Sequence, residues 1–190
     1  MTKDLMYRDE IRQLVADAYR SLEDPGGPGT RFYTDEQLAE LPAGAREWAL
    51  GVGNPVAWAE LAEGEVVADI GCGAGIDSLL AARLVGPAGC VVGVDLLAEM
   101  VERAEAFARE AGVANVTFRQ GEMESLPLPD GSVDVVISNG AINLSARKSR
   151  VLAEAHRILR PGGRLCVADL TVREEDLPAE VLTHPSAWAG

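Results

Sequence analysis

Asp69 closes a short apolar run, and glycines then follow at alternate positions, Gly71, Gly73 and Gly75, before a helical pattern begins at Ile76. A strand, a tight turn and a helix start in that order point main-chain N–H groups at the mouth of the turn. Glycine serves where the backbone takes positive φ or must approach a ligand with no Cβ in between. These residue types describe a small-molecule cradle. A second acid, Asp95, ends the apolar run of residues 90–95, 20 positions beyond Gly75. A carboxylate at the end of a second strand can accept both hydroxyls of a ribose and repels a 2′-phosphate. The same residues would also serve a plain glycine turn and a helix cap.

Spacing separates the possible ligands. The dinucleotide fingerprint places its third glycine five residues after the first, where this chain has Ile76. No P-loop lysine follows the turn. The pattern D-x-G-x-G-x-G after a strand resembles motif I of class I S-adenosylmethionine-dependent methyltransferases.

The elements around the turn alternate. Apolar runs at residues 66–70, 90–95, 116–120, 133–138 and 165–170 read as strands, and residues 76–85, 98–111 and 146–159 as helices. Such alternation predicts an α/β fold, a Rossmann-like parallel sheet in order 3-2-1-4-5 with helices on both faces. Its ligands bind at the carboxyl ends of the strands. Upstream, Ile11, Leu14, Val15, Ala18, Tyr19 and Leu22 fall at helical spacing, and the Pro/Gly-rich residues 23–31 break that helix. Thr34 and Gln37 have the spacing of a capping box for a short helix over 34–41. The expected organisation is a helical cap and linker over 1–60, a cofactor-binding core over 61–170 and a tail over 171–190.

The 190 residues suit one domain, and the net charge of −13 argues against nucleic acid and anionic membrane surfaces as partners. No apolar run reaches the ~20 residues of a membrane helix. The charged start lacks a signal-peptide core, so the cytoplasm is the expected address. Cys72, Cys90 and Cys166 have no zinc or redox spacing. No metal site is expected, and all three are read as packing residues, the latter two inside buried strands.

Most of the chain resembles the arsenite methyltransferase family, close to the small-molecule methyltransferases of ubiquinone biosynthesis. The stretches FYTDEQLAELPAGA, GVGNPVAWAEL, GEMESLPLPDGSVDVVISNGAINL and HRILRPGGRLCVADL carry the likeness, together with the motif I region. The resemblance implies S-adenosylmethionine as cofactor. Asp69, Gly71, Cys72 and Gly73 would hold its methionine portion, and Asp95 its ribose. Leu96, Glu122 and Met123 would flank the adenine. Asn139 would close the pocket, and the loop of Gly51, Gly53, Asn54 and Pro55 would lie near the methyl group.

The substrate apparatus departs from that family. Trivalent arsenic is bound by cysteine thiolates, soft ligands for a thiophilic centre. The family pattern G-C-G-N-P reads GVGNP here, with Val52 at the cysteine, and S-N-C-x-I-N-L reads SNGAINL, with Gly140 at the second. No cysteine follows the final W-A-G. The expected activity is methylation of a small molecule other than arsenite, as in secondary metabolism. The alternatives are a methyltransferase-like subunit of a two-protein enzyme catalysing elimination or cyclisation, and a cofactor-binding subunit without catalysis. Two strands of the family's seven are not visible after residue 170. A homodimer or a partner protein supplying the absent part is expected to cover the sheet edge. For catalysis the candidates are Asn143, Tyr33 and His156, with His184 in the tail read as exposed.

Overall fold

The computed structural model describes residues 2–23 and 25–171, with side chains from residue 10 onward. Strands β1 (Val66–Ile70), β2 (Cys90–Asp95), β3 (Val116–Gln120), β4 (Val133–Asn139) and β5 (Leu159–Ala168) form one parallel sheet in the order β3-β2-β1-β4-β5. This is the expected order. Strand β5 begins at Leu159 rather than at residue 165. Leu159 pairs with Val133, and the register then shifts before Arg164 pairs with Val135, so the Pro-Gly-Gly turn is absorbed as an irregularity inside the ladder.

Seven helices accompany the sheet among the described residues: α1 (Thr2–Arg20), α2 (Asp35–Ala39), α3 (Ala43–Glu47), α4 (Pro55–Trp58), α5 (Ile76–Val85), α6 (Ala98–Glu110) and α7 (Lys148–Ile158). Strand side chains alternate between two cores, as the pleat requires. Val67, Val91, Val135 and Ile137 pack with Leu79, Val85, Met100 and Ala104 of α5 and α6. Ala68, Ile70, Val94 and Val136 pack with Ala155 and Ile158 of α7 and with Leu126 and Leu128. Both faces are therefore covered, and the central strands read as continuous apolar runs.

Two local expectations stand and two are corrected. Helix α2 has its capping box, Gln37 N donating to Thr34 Oγ1 and Thr34 N donating to Gln37 Oε1. The break after α1 ends in a short 3-10 helix, Pro28–Phe32. In α1 the buried stripe is turned relative to the expected one: Ile11 and Ala16 are buried while Leu14 and Leu22 are exposed. The polar Arg12 belongs to the inward face, which a purely apolar pattern hides. Cys90 is exposed, so the expected packing fails for it, whereas Cys166 is half-buried and packs against the core from a strand that is itself half-exposed. Cys90 is the first residue of β2, where the strand emerges from its turn.

The loop after β3 is held from below by Arg157. Its guanidinium donates to Leu126 O, Leu128 O and Asp130 Oδ1 and makes two bonds to Glu154, which is 5 % exposed. Arg157→Ala strips the buried Glu154 of this partner and is expected to cost about 3 kcal/mol. Urea denaturation measures it, and a loss below about 1 kcal/mol would contradict the assignment.

Candidate functional site

The carboxyl ends of β1, β2 and β4 open into one cleft. Its floor is the glycine turn, with Gly71, Gly73 and Gly75 at φ of 72°, 51° and 86°. Gly71 N and Cys72 N both donate to Val94 O at the end of β2. A Cβ on Gly71 would strike the Cβ of Ala141, whereas one on Gly73 would meet nothing within 4 Å. The main chain at Gly73 is thus bare toward the cleft.

Three carboxylates converge here. Asp69, 2 % exposed, accepts from Ser78 Oγ at 2.6 Å. Asp95 accepts from Gly73 N through Oδ2 and from Leu97 N through Oδ1, both at 2.9 Å, so it pins the glycine turn and the start of α6 together. Asp77, 7 % exposed, accepts from Tyr33 Oη and from Asn139 Nδ2, both at 2.9 Å. Among the described residues none of the three forms an ion pair.

That isolation shows in their proton affinities. Burial, reinforced by the charge of Asp77, pushes Asp69 up to about 8, and burial pushes Asp77 up to about 6. Asp95 is raised for the same reason, against the bonds from Leu97 and Gly73. Above the unfolded value of 3.8 the unfolded carboxyls are ionised while the folded ones still hold protons. Folding therefore takes up protons, and the cofactor-free chain is expected to lose stability as pH rises from about 5 to about 8, by at most roughly 1.4 kcal/mol per pH unit per proton. Thermal melts across that window check the sign; a rising melting temperature would contradict it.

The cleft's other walls come from far along the chain. Asn139, at the end of β4, accepts Val52 N and Gly53 N at Oδ1 and donates from Nδ2 to Gly53 O as well as to Asp77 and Tyr33 Oη. From α1, Arg12, Val15 and Tyr19 face the cleft. Arg12 makes a two-pronged pair with Glu122 at 2.7 and 2.8 Å and reaches Glu124 at 3.1 Å. Both oxygens of Glu122 are therefore engaged by the helix above.

Of the sequence-derived residues, Asp69, Gly71, Cys72, Gly73, Asp95, Leu96, Glu122, Met123, Asn139 and Tyr33 all line the cleft. Asn54 does not: its side chain caps α4 at Ala57 N and donates to Phe32 O and Gln37 Oε1. Asn143 is turned to Asp169 and Leu170 O, and His156 is exposed on α7, so neither reaches the cleft. His184 and the W-A-G end lie outside the described residues. Sequence reasoning missed Asp77 and Arg12. Asp77 stands one residue inside α5, where an acid reads as an ordinary first-turn residue, and only its burial reveals a role.

Residues 61–189 match the family model described as a methyltransferase domain. The chain belongs to the methyltransferase domain family. This methyltransferase domain is 44 % identical over 158 residues to an arsenite methyltransferase from Halobacterium salinarum, a match covering 83 % of the chain and 40 % of that relative. Among solved structures it is similar to an arsenic (III) S-adenosylmethionine methyltransferase from Chlamydomonas reinhardtii. The TM-score is 0.72 at 41 % identity, covering 84 % of this chain and 54 % of that one. It is also similar to a (4+2)-cyclase, with TM-score 0.57 at 25 % identity, covering 86 % of this chain and 58 % of that one. The methyltransferase domain thus spans about two fifths of its Halobacterium relative.

The cofactor implied by this family is S-adenosylmethionine, and the residues present fit it. That molecule carries a sulfonium and an ammonium and no phosphate. The cleft offers three carboxylates without cationic partners and a glycine floor, with open space around the α-carbon of Gly73.

Proposed function

We propose that the domain binds S-adenosylmethionine in this cleft and methylates a small molecule other than arsenite. The observation that carries the reading is the contact between positions 52 and 140: a Cβ on Gly140 would lie 3.6 Å from both methyl carbons of Val52. The resemblance places thiolates at these two positions. They are side by side, and neither bears sulfur. Cys72 lines the cleft, but burial first, and then Asp69 and Asp95, keep its thiol far above its ordinary range and so protonated. It also packs against Gly93, whose Cβ would come within 2.9 Å of Sγ. Thiolate capture of a soft centre is unsupported by such a site.

Asp95 would take the ribose hydroxyls, since each of its oxygens keeps a free lone pair beside the main-chain bond it already accepts. Asp69 and the backbone of Gly71, Cys72 and Gly73 would hold the methionine end, and Leu96, Glu122 and Met123 the adenine side. The cofactor supplies an electrophilic methyl group. The chain's part is to place a nucleophile in line with it and to keep water away, and positioning of that kind supplies most of the acceleration. Residues 1–60 would act as a cap on the core of 61–170, because α1 closes the cleft through Arg12. At the sheet edge Leu165 and Val167 of β5 are exposed among the described residues, which supports a second copy or a partner chain against that strand.

The test is calorimetry of S-adenosylmethionine with the full chain, followed by mass analysis of reactions offered arsenite or small-molecule acceptors. Binding with no methylated arsenic is expected, and a methylarsenical product would sink the reading. Cofactor binding with a rearranged, unmethylated product would instead favour the cyclase-like alternative, which the neighbouring (4+2)-cyclase structure makes worth assaying.

A further inference from the structure

Asp77 adds to the negative charge of the cleft but is assigned no atom of the cofactor; it is buried there with both oxygens occupied, one by Tyr33 Oη and one by Asn139 Nδ2. The Asn139 amide has two orientations that exchange Oδ1 and Nδ2. With Nδ2 toward Asp77, Oδ1 meets Val52 N at 2.8 Å and Gly53 N at 3.1 Å, and Nδ2 also reaches Gly53 O at 2.8 Å. Flipped, Oδ1 would face a carboxylate that can only accept, and Nδ2 would face two N–H donors. The loop is moulded on this amide, because a Cβ on Gly51 would strike the Asn139 side chain.

We propose that Asp77 is a positioning residue: it selects the orientation of the Asn139 amide and through it holds residues 51–53, whose first member, Gly51, lines the cofactor cleft. Tyr33 is the second strap. Its hydroxyl donates to Asp77 and accepts from Asn139, tying the segment before α2 to the same pair. The loop, the end of β4 and the start of α5 are otherwise distant in sequence, and this polar knot is what brings them together. The inference rests on the cofactor reading for its consequence, weaker binding, but not for the geometry itself.

Amide NMR of the whole chain without cofactor tests the geometry, and calorimetry with S-adenosylmethionine tests the consequence. In Asp77→Ala the Val52 and Gly53 amide resonances are expected to move, while those of Gly131 and Ser132, on the opposite end of the sheet, stay. Affinity for the cofactor should fall about tenfold, the equivalent of one charge-assisted hydrogen bond. Asp77→Asn keeps an acceptor for Asn139 and should restore most of the amide positions. No movement in either variant, or equal movement in both, would overturn the proposal. If Asp77→Ala does not fold, Asp69→Asn decides, because it removes the acid that titrates together with Asp77. Val52 and Gly53 must then still shift with the midpoint of the Asp77 carboxyl carbon, and amides that follow Asp95 or do not move would overturn the proposal. A wild-type chain that binds no S-adenosylmethionine would defeat the cofactor reading and leave the NMR result to judge the positioning role by itself.

Discussion

Asp95→Ala is expected to weaken S-adenosylmethionine binding about a hundredfold. Two hydrogen bonds from ribose hydroxyls to a carboxylate are worth roughly 3 kcal/mol together, and 1.4 kcal/mol is a factor of ten. The structure adds a second cost. Asp95 also holds Gly73 N and Leu97 N, so its loss frees the glycine turn from the first turn of α6. Asp95→Asn keeps the shape but turns one acceptor into a donor, and an intermediate loss is expected of it. Calorimetry gives the affinities, and circular dichroism confirms that the variants fold. A change of less than threefold for the alanine variant would remove Asp95 from the cofactor site.

The second large effect separates two glycines of one turn. Gly71→Ala forces a Cβ at φ 72° into the side chain of Ala141, and left-handed strain plus overpacking should cost about 3 kcal/mol. In a chain of this size that lowers the melting temperature by roughly 10 °C. Gly73→Ala, at φ 51° with nothing near its Cβ, pays only the backbone strain of about 1 kcal/mol. Gly73 lines the cleft, so cofactor affinity should suffer more than stability. Melting curves and calorimetry on the two variants measure the split. Equal behaviour in both assays would mean that the turn is only structural.

The legible parts of this protein were those encoded within a few residues of one another. The runs 66–70, 90–95 and 116–120 are strands at those bounds: the first two are apolar stretches between turn residues, and the third is an edge strand in which only Phe118 is buried. The box of Thr34 and Gln37 and the alternation behind the order 3-2-1-4-5 are local or near-local as well. Asn54 is conspicuous for a reason that serves two uses. A glycine-flanked asparagine before proline suits a loop near a ligand, and it equally suits the cap of a short helix, which is the use the fold makes of it.

The glycine turn, the acids at the ends of β1 and β2, and the sheet that carries them follow from neighbouring residues alone, since periodicity and the sign of φ are local properties. Which polar groups meet depends on the folded chain. Tyr33 finds Asp77 across 44 residues, Asn139 finds it across 62, and Arg12 finds Glu122 across 110. The folded chain also brings Val52 against Gly140. Such pairs leave no periodic trace. They form because a buried donor or acceptor without a partner is costly, and the partner within reach is set by the folded sheet, not by the order of the chain.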